Sequence, residues 1–337
     1  MNINKWSLWL LSGLLLLISC GKPVNPESLT PSDGGYKIVK VFPTSGYAQD
    51  LLKKDSLLYI AQGEGGLLIV SVADPVNPHV VSLTTEGVRG YSSKISMKDS
   101  AVYLAAGTFG VTVINAANPD TPFVTIANLG MKPARSFHIL GNYIFTAVSE
   151  QGVNIAEISY PTEPDIRGGI STTGYAYGLT TSADSNYLFV ACGEMGMSIY
   201  DISNFQEGFG VYPLTGWCDT PGLAEAIAIE ENKKVAFLAC GTSGLQILDY
   251  SDTSNIFIAG SYDSMGYAKD LIYDNNLIYM TTELYGLQII NVSDITKPYL
   301  VGAVPTSYSL GLCKDDKYIY VADETDGLII ISIPASR

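Results

Sequence analysis

The side chains that could do chemistry in this chain are mainly tyrosines and carboxylates that recur at regular intervals. Five tyrosines each follow a glycine or a serine: Tyr47, Tyr91, Tyr175, Tyr267 and Tyr308. The candidate carboxylates are Asp50, Glu64, Glu194, Glu225 and Asp270, with Glu150, Glu283, Glu324 and Asp326 at related positions. Tyrosine offers a wide, stiff ring with a polar end, and carboxylates add hydrogen-bond acceptors. This combination favours a surface that binds a protein, a peptide or a glycan, although recurrent tyrosines can instead seal one repeat against the next.

The sequence contains no familiar catalytic or metal-binding motif. It has two separated histidines, His79 and His138, and no GxSxG, HExxH or Walker-type motif. It also has no CxxC pair, and the acidic stretch 323–327 lacks the spacing of a calcium loop. We therefore assign no catalytic residue and expect no metal and no cofactor. The alternative is a glycan hydrolase or lyase, which would need two carboxylates from among Glu64, Glu194, Glu225 and Asp270.

Composition and charge narrow the class of protein. Of the 337 residues, 47% are hydrophobic and 15% are charged, which excludes intrinsic disorder. The 33 glycines and 22 tyrosines favour strands and turns over long surface helices. A net charge of -14 leaves no basic stripe that could neutralise phosphates. Nucleic acid is thus excluded as the main partner.

The N-terminal residues predict a membrane anchor. Lys5 precedes an apolar run over 6–18, which is too short to span a bilayer of about 30 Å as a helix and is typical of a signal peptide. The run ends in Leu17-Ile18-Ser19-Cys20, which resembles the lipobox of bacterial lipoproteins. We expect a signal peptide over 1–19, a lipidated (acylated) Cys20, and a Pro-, Gly- and Ser-rich tether over 20–35. The resemblance implies the bacterial cell envelope, and Gly21 implies the outer membrane; a periplasmic and a surface-exposed location both stay open.

Beyond the tether, a repeat must position the candidate residues. Seven glycines recur at spacings of about 41–48 residues, each between two apolar, strand-like runs: Gly66, Gly110, Gly152, Gly196, Gly244, Gly286 and Gly327. This period predicts four-stranded units, and so an all-β, seven-bladed β-propeller of antiparallel blades over 36–337. The last unit lacks a fourth strand, and the run 36–42 can supply it, which would close the ring. The loop into each first strand and the loop between the second and third strands should then lie on one face.

The repeats resemble those of the LVIVD-repeat family. Gly244–Asp249 and Gly196–Asp201 carry the glycine, the apolar strand and the terminal Asp of that repeat, whereas Ser71, Glu157 and Ser332 depart from it. The resemblance covers 36 to about 333 and implies a seven-bladed propeller, which we expect to be monomeric. It brings no catalytic residues, so we expect a lipid-anchored binding module.

Two local features leave alternatives open. The cysteines beyond Cys20 are Cys192, Cys218, Cys240 and Cys313. Cys192 and Cys240 occupy equivalent positions of adjacent blades, about 10 Å apart and too far for a disulfide, whereas Cys218 could reach Cys240. The segment 223–234 has helix-forming composition, but we interpret it as a strand because 223–227 aligns with 47–51.

Overall fold

The computed structural model describes residues 32–205 and 210–335, and in these residues every regular element is a β-strand. Twenty-eight strands form seven four-stranded antiparallel sheets. The predicted seven-bladed propeller is therefore confirmed. The predicted signal peptide, Cys20 and the tether as far as residue 31 lie outside the described residues.

In each blade, four strands follow one another from the centre of the ring to its rim. Blade 1 contains β2 (Asp50–Lys54), β3 (Leu57–Ala61), β4 (Leu67–Ser71) and β5 (His79–Thr84). Blade 2 contains β6 (Lys94–Lys98), β7 (Ala101–Ala105), β8 (Val111–Asn115) and β9 (Phe123–Ile126). Blade 3 contains β10 (Ser136–Leu140), β11 (Tyr143–Ala147), β12 (Val153–Glu157) and β13 (Asp165–Ile170).

The remaining blades repeat this order. Blade 4 contains β14 (Gly178–Thr181), β15 (Tyr187–Ala191), β16 (Met197–Asp201) and β17 (Leu214–Cys218). Blade 5 contains β18 (Ala226–Glu230), β19 (Val235–Ala239), β20 (Leu245–Asp249) and β21 (Phe257–Tyr262). Blade 6 contains β22 (Asp270–Asp274), β23 (Leu277–Thr281), β24 (Leu287–Asn291) and β25 (Tyr299–Val304). Blade 7 contains β26 (Ser309–Lys314), β27 (Tyr318–Asp323), β28 (Gly327–Ser332) and β1 (Lys37–Phe42).

The ring closes through the N-terminal strand, as the sequence predicts. β1 pairs antiparallel with β28, from Lys37 opposite Ser332 to Phe42 opposite Leu328. The innermost strands contact one another in succession around the ring, and β26 of blade 7 contacts β2 of blade 1. The residues before β1 extend this closure to blade 6, where buried Tyr36 packs edge-on against Tyr279 with ring centroids 6.2 Å apart.

The two middle strands of each blade are apolar on both sides because neighbouring blades cover both sides. All five residues of β7 are buried, for example, because blade 2 is covered by blades 1 and 3. The outermost strands have mostly exposed or half-exposed residues, as in β5 and β13. The segment 223–234 contains β18, which pairs with β19 of the same blade, so strand pairing outweighs its helix-forming composition.

The recurrent glycines mark a close approach of two backbone segments. Gly66 has a φ of 76°, and a Cβ there would lie 2.2 Å from the carbonyl oxygen of Thr84 in the outermost strand. Gly327 has the same relation to Phe42, with a Cβ position 2.6 Å from its carbonyl oxygen. Strand β1 is thus the fourth strand of blade 7. In the other blades, the fourth strand directly follows the third strand in sequence.

Within residues 32–205 and 210–335, no helix is long and apolar enough to cross a bilayer.

Candidate functional site

Asp50 and Asp270 are the first residues of strands β2 and β22. The other predicted candidate residues belong to two sets of loops at one end of the ring, which we call the upper face. It comprises the residues that precede each innermost strand and the turns that join the second and third strands. Isolated β-bridges connect these loops between successive blades, for example Gly63 with Ser92 and Gly193 with Ala224. Because six such bridges follow the ring, both sets of loops lie at the same end.

The five predicted tyrosines differ in how they are packed. Tyr47 and Tyr175 expose 58% and 55% of their surface, so both rings are available to a partner. Tyr91 and Tyr267 lie against the preceding blade, where a Cβ on Gly63 or Gly241 would come within about 3 Å of their ring carbons. Tyrosines at equivalent positions thus differ in exposure: some pack against the preceding blade, and others face solvent.

Glu225 makes contacts within the protein. Its Oε1 accepts a hydrogen bond of 2.5 Å from the Tyr267 hydroxyl, and its Oε2 forms an ion pair with Lys269. The Lys269 Nζ also lies 5.7 Å from the centroid of the Tyr267 ring. Burial, the hydrogen bond to Glu225 and the charge of Glu225 together raise the pKa of Tyr267. Glu225 therefore orders the channel mouth between blades 5 and 6.

Asp50 and Asp270 meet inside the central channel, where Lys94 connects them. The Lys94 Nζ lies 2.6 Å from Asp270 Oδ2 and 3.4 Å from Asp50 Oδ1, and Asp50 Oδ2 accepts the backbone N–H of Ile95 at 3.0 Å. Lys94 belongs to blade 2 and Asp270 to blade 6, so this ion pair crosses the channel. We call Asp50, Lys94 and Asp270 the channel clasp.

Burial and the neighbouring charges shift the pKa values of Asp50 and Lys94 in the channel clasp. Asp50 is 6% exposed, and this desolvation raises its pKa to about 6, although the charge of Lys94 acts in the opposite direction. Desolvation disfavours the charged form of Lys94, but the charges of Asp270 and Asp50 outweigh it and raise the pKa of the lysine. The clasp is therefore a charged group that holds three blades together.

The mouth of the channel carries negative charge. Burial first, and then the charge of Glu324, raises the pKa of Tyr91 to about 12; Glu64 acts in the same direction. Burial and a hydrogen bond to Glu283 raise the pKa of Tyr308 to about 12. In the described part of the chain, Glu64, Glu283 and Glu324 form no ion pair. An approaching cation is therefore attracted to this face.

A cavity opens on the upper face between blades 4 and 5. Its volume is about 360 Å³, and its lining residues are Gly174, Tyr175, Tyr177, Cys192, Glu194, Met195 and Leu223. Two of the predicted residues, Tyr175 and Glu194, thus come together in one place. They do so because the residues before β14 pack over the turn between β15 and β16, where a Cβ on Gly174 would lie 2.8 Å from the Met195 side chain.

Six segments of the chain match the LVIVD repeat: residues 45–85, 133–172, 174–205, 221–264, 265–306 and 315–336. These segments make up more than half of the sequence. The chain belongs to the LVIVD-repeat family. The unmatched residues 86–132 contain blade 2, so the fold has seven blades whereas six segments match the repeat.

Comparisons beyond the LVIVD profile support the fold alone. The crystal structure of the computationally designed Ika8 protein has a TM-score of 0.61 with this chain at 10% sequence identity. The match covers 89% of this chain and 100% of the designed protein. No curated protein matches the sequence.

In some blades, the turn that joins the second and third strands carries a large apolar side chain. These side chains were not among the residues predicted from the sequence. Phe109, Met195 and Tyr285 occupy equivalent turns of blades 2, 4 and 6, and each packs against a glycine that precedes the innermost strand of its own blade. Leu284 and Met265 add exposed apolar surface beside Tyr285, with 69% and 75% of their surface exposed. Apolar residues in a tight turn between two strands are the sequence signal that could have identified them.

His138 and two of the cysteines make polar contacts within the protein. His138 lies in innermost strand β10, where its Nε2 is 2.9 Å from Thr181 Oγ1 and burial lowers its pKa to about 4. The cysteines of the described residues are free thiols, with Cys192 Sγ 3.5 Å from Ser198 Oγ and Cys240 Sγ 3.5 Å from Thr220 Oγ1. Residues 32–205 and 210–335 contain no group of three or more His, Cys, Asp or Glu side chains placed to hold a metal ion.

Proposed function

We propose that this LVIVD propeller is a binding module of the bacterial cell envelope that holds a protein or peptide partner on its upper face. The observation that carries the proposal is the grouping of exposed Tyr47 and Tyr175, the apolar turn tips and a cavity on one end of a closed ring. Exposed aromatic and apolar side chains on a rigid scaffold are typical of protein interfaces. Met265 and Leu284 favour a protein or peptide over a glycan, because aliphatic side chains contribute little to sugar recognition.

The contacts of two candidate carboxylates count against the alternative of a glycan hydrolase or lyase. Glu225 is paired with Lys269, and Asp270 is paired with Lys94. A general acid or nucleophile of such an enzyme must reach the substrate, and both groups instead hold blades together. Glu64 and Glu194 remain exposed, but they belong to the turns of blades 1 and 4, on separate parts of the ring.

Substitution of the exposed tyrosines tests the binding role. We expect Tyr47→Ala with Tyr175→Ala to weaken binding of a partner at least about tenfold, since buried interface tyrosines contribute about 1–2 kcal/mol each. The partner is first captured from solubilised envelopes and identified by mass spectrometry, and its affinity for each variant is then measured by surface plasmon resonance.

Tyr160→Ala is the matched control for this test. Tyr160 is 77% exposed but lies in the turn between β12 and β13, at the opposite end of the ring. Equal binding by the double variant, together with a loss for Tyr160→Ala, would move the site to that opposite end.

We also propose that Cys20 is lipidated and anchors the propeller to a membrane, with outer-membrane sorting. The support is the apolar run over 6–18 that ends at the lipobox-like residues 17–20. A Cys20→Ala variant should lose incorporation of labelled palmitate. Cys218→Ala, which changes a partly exposed cysteine of the folded ring, should keep the label. Labelled palmitate on the Cys20→Ala variant would contradict lipidation of Cys20.

A further inference from the structure

The cavity between blades 4 and 5 is partly open to solvent and is large enough to admit one long side chain. Its volume of about 360 Å³ lies at the lower end of the range of small-ligand pockets. Three separate segments form its walls: the residues before β14 supply Tyr175, the turn between β15 and β16 supplies Glu194 and Met195, and the residues before β18 supply Leu223. It is therefore built by two blades and depends on their packing.

The walls combine apolar surface with one negative charge. Met195, Leu223 and the ring of Tyr175 are apolar, whereas Glu194 is the one carboxylate among the lining residues. Glu194 is exposed and forms no ion pair within the described residues. Lysine and arginine pair an aliphatic stem with a cation, and aromatic faces attract such cations. The chemistry of this lining thus matches a basic side chain.

The second aromatic ring of the cavity is already occupied by contacts within the protein. Tyr177 packs over Gly193, and the Arg135 guanidinium lies 5.4 Å from its ring centroid. A hydrogen bond of 2.8 Å from Arg135 Nε to Ser149 Oγ holds that guanidinium on blade 3. Tyr175, by contrast, has more than half of its surface exposed. Tyr175 is therefore the ring that can receive a cation from outside.

The charge of the surrounding face is complementary to a basic segment. Glu64, Glu150, Glu283 and Glu324 lie on the same face, and none of them forms an ion pair within the described residues. Their charge steers cationic segments toward the face and disfavours acidic ones.

We infer that this cavity receives a lysine or arginine side chain from a basic segment of the protein partner. The aliphatic stem packs against Met195, Leu223 and Tyr175, and the charged end pairs with Glu194. The inference rests on the proposed function, since it needs a protein partner on the upper face, and it adds the chemical class of the anchor residue.

A displayed library of random heptapeptides, selected on the immobilised protein, tests the inference. We expect lysine or arginine to be enriched at one position of the selected peptides. In a synthetic selected peptide, changing that lysine to norleucine, or the arginine to citrulline, should weaken binding at least about tenfold. The same change should have almost no further effect on a Glu194→Gln protein, because the charge pair is already lost.

Glu150→Gln is the matched control, because Glu150 occupies the equivalent turn position of blade 3, outside the cavity lining. This variant should keep the wild-type response to the peptide change. A second cavity variant, Met195→Lys, places a cation in the cavity and should abolish selection of basic peptides; equal thermal unfolding midpoints show that each variant is folded.

The outcomes separate the inference from the proposed function. Selected peptides that lose binding with Tyr47→Ala but ignore Glu194→Gln would overturn the inference and leave the binding module in place. Selection of peptides without a basic residue would overturn it in the same way. A library that yields no peptide dependent on the upper face would overturn both proposals.

Discussion

A chain that begins at Pro43 should fail to form a stable monomeric propeller, whereas a chain that begins at Asp33 should fold. The shorter chain lacks Tyr36 and strand β1, which supplies the fourth strand of blade 7. It loses the buried Tyr36 and the partly buried side chains of Val39 and Phe42. Each large buried apolar side chain stabilises a fold by about 2 kcal/mol, and a whole domain has about 5–15 kcal/mol.

The loss also changes how the protein associates. Without β1, strand β28 presents an unpaired edge that can pair with another chain. We therefore expect aggregation or oligomers in size-exclusion chromatography and a urea unfolding midpoint far below that of the chain from Asp33. Addition of a synthetic peptide of residues 33–42 should restore the monomer. A monomeric chain from Pro43 with an unchanged midpoint would show that the ring closes without β1.

The second large effect is expected for Lys94→Met, which removes the cation of the channel clasp. Asp50 and Asp270 would then face each other in a partly buried channel without the charge that holds them. Breaking a buried pair by removal of one partner destabilises a fold by about 3–5 kcal/mol, and the 29% exposure of the lysine side chain favours the lower end of about 3 kcal/mol. Urea unfolding at pH 8 measures this change.

The pH dependence of this effect has a definite sign. The folded-state pKa of Asp50, about 6, lies above its unfolded value, so its contribution to stability is present at low pH and falls as the pH rises through 6. Without Lys94 this pKa rises further, so Asp50 is protonated over a wider pH range. The destabilisation by Lys94→Met should therefore be smaller at pH 5 than at pH 8.

Lys98→Met in the same strand is the control for the clasp. The Lys98 Nζ donates hydrogen bonds to Gly141 O and Asn142 Oδ1 and pairs with no carboxylate in the described residues. Its loss should cost less than about 1 kcal/mol, with no difference between the two pH values. Equal destabilisation by both substitutions would mean that the clasp carries no special role.

The amino-acid sequence was enough to predict the repeat, the fold class and the strand that closes the ring. Gly66 and Gly327 mark turns whose backbone leaves no space for a side chain, so each blade repeats the same local signal within about 40 residues. An incomplete last blade and an unpartnered first strand then specify ring closure, because unpaired strand edges are unfavourable. These features are encoded in short stretches of chain, where hydrophobic period and turn chemistry act.

Which side chains meet was decided by the tertiary structure. Lys94 and Asp270 are 176 residues apart in sequence, and the equivalent strand positions of other blades hold Ser136, Gly178 and Ala226. Equivalent positions in successive repeats therefore predict where a side chain lies in the ring, but they do not predict which side chain it contacts.

The same reasoning applies to the upper face. Tyr267 is packed against the preceding blade and hydrogen-bonded to Glu225, while Tyr47 at the equivalent position is exposed. The cavity needs Tyr175, Glu194 and Leu223 from three segments of two blades. Local sequence determines whether each segment is a strand or a turn. Closure of the ring brings segments from distant parts of the chain together. The different side chains at equivalent positions then decide which tyrosines pack between blades and which face solvent.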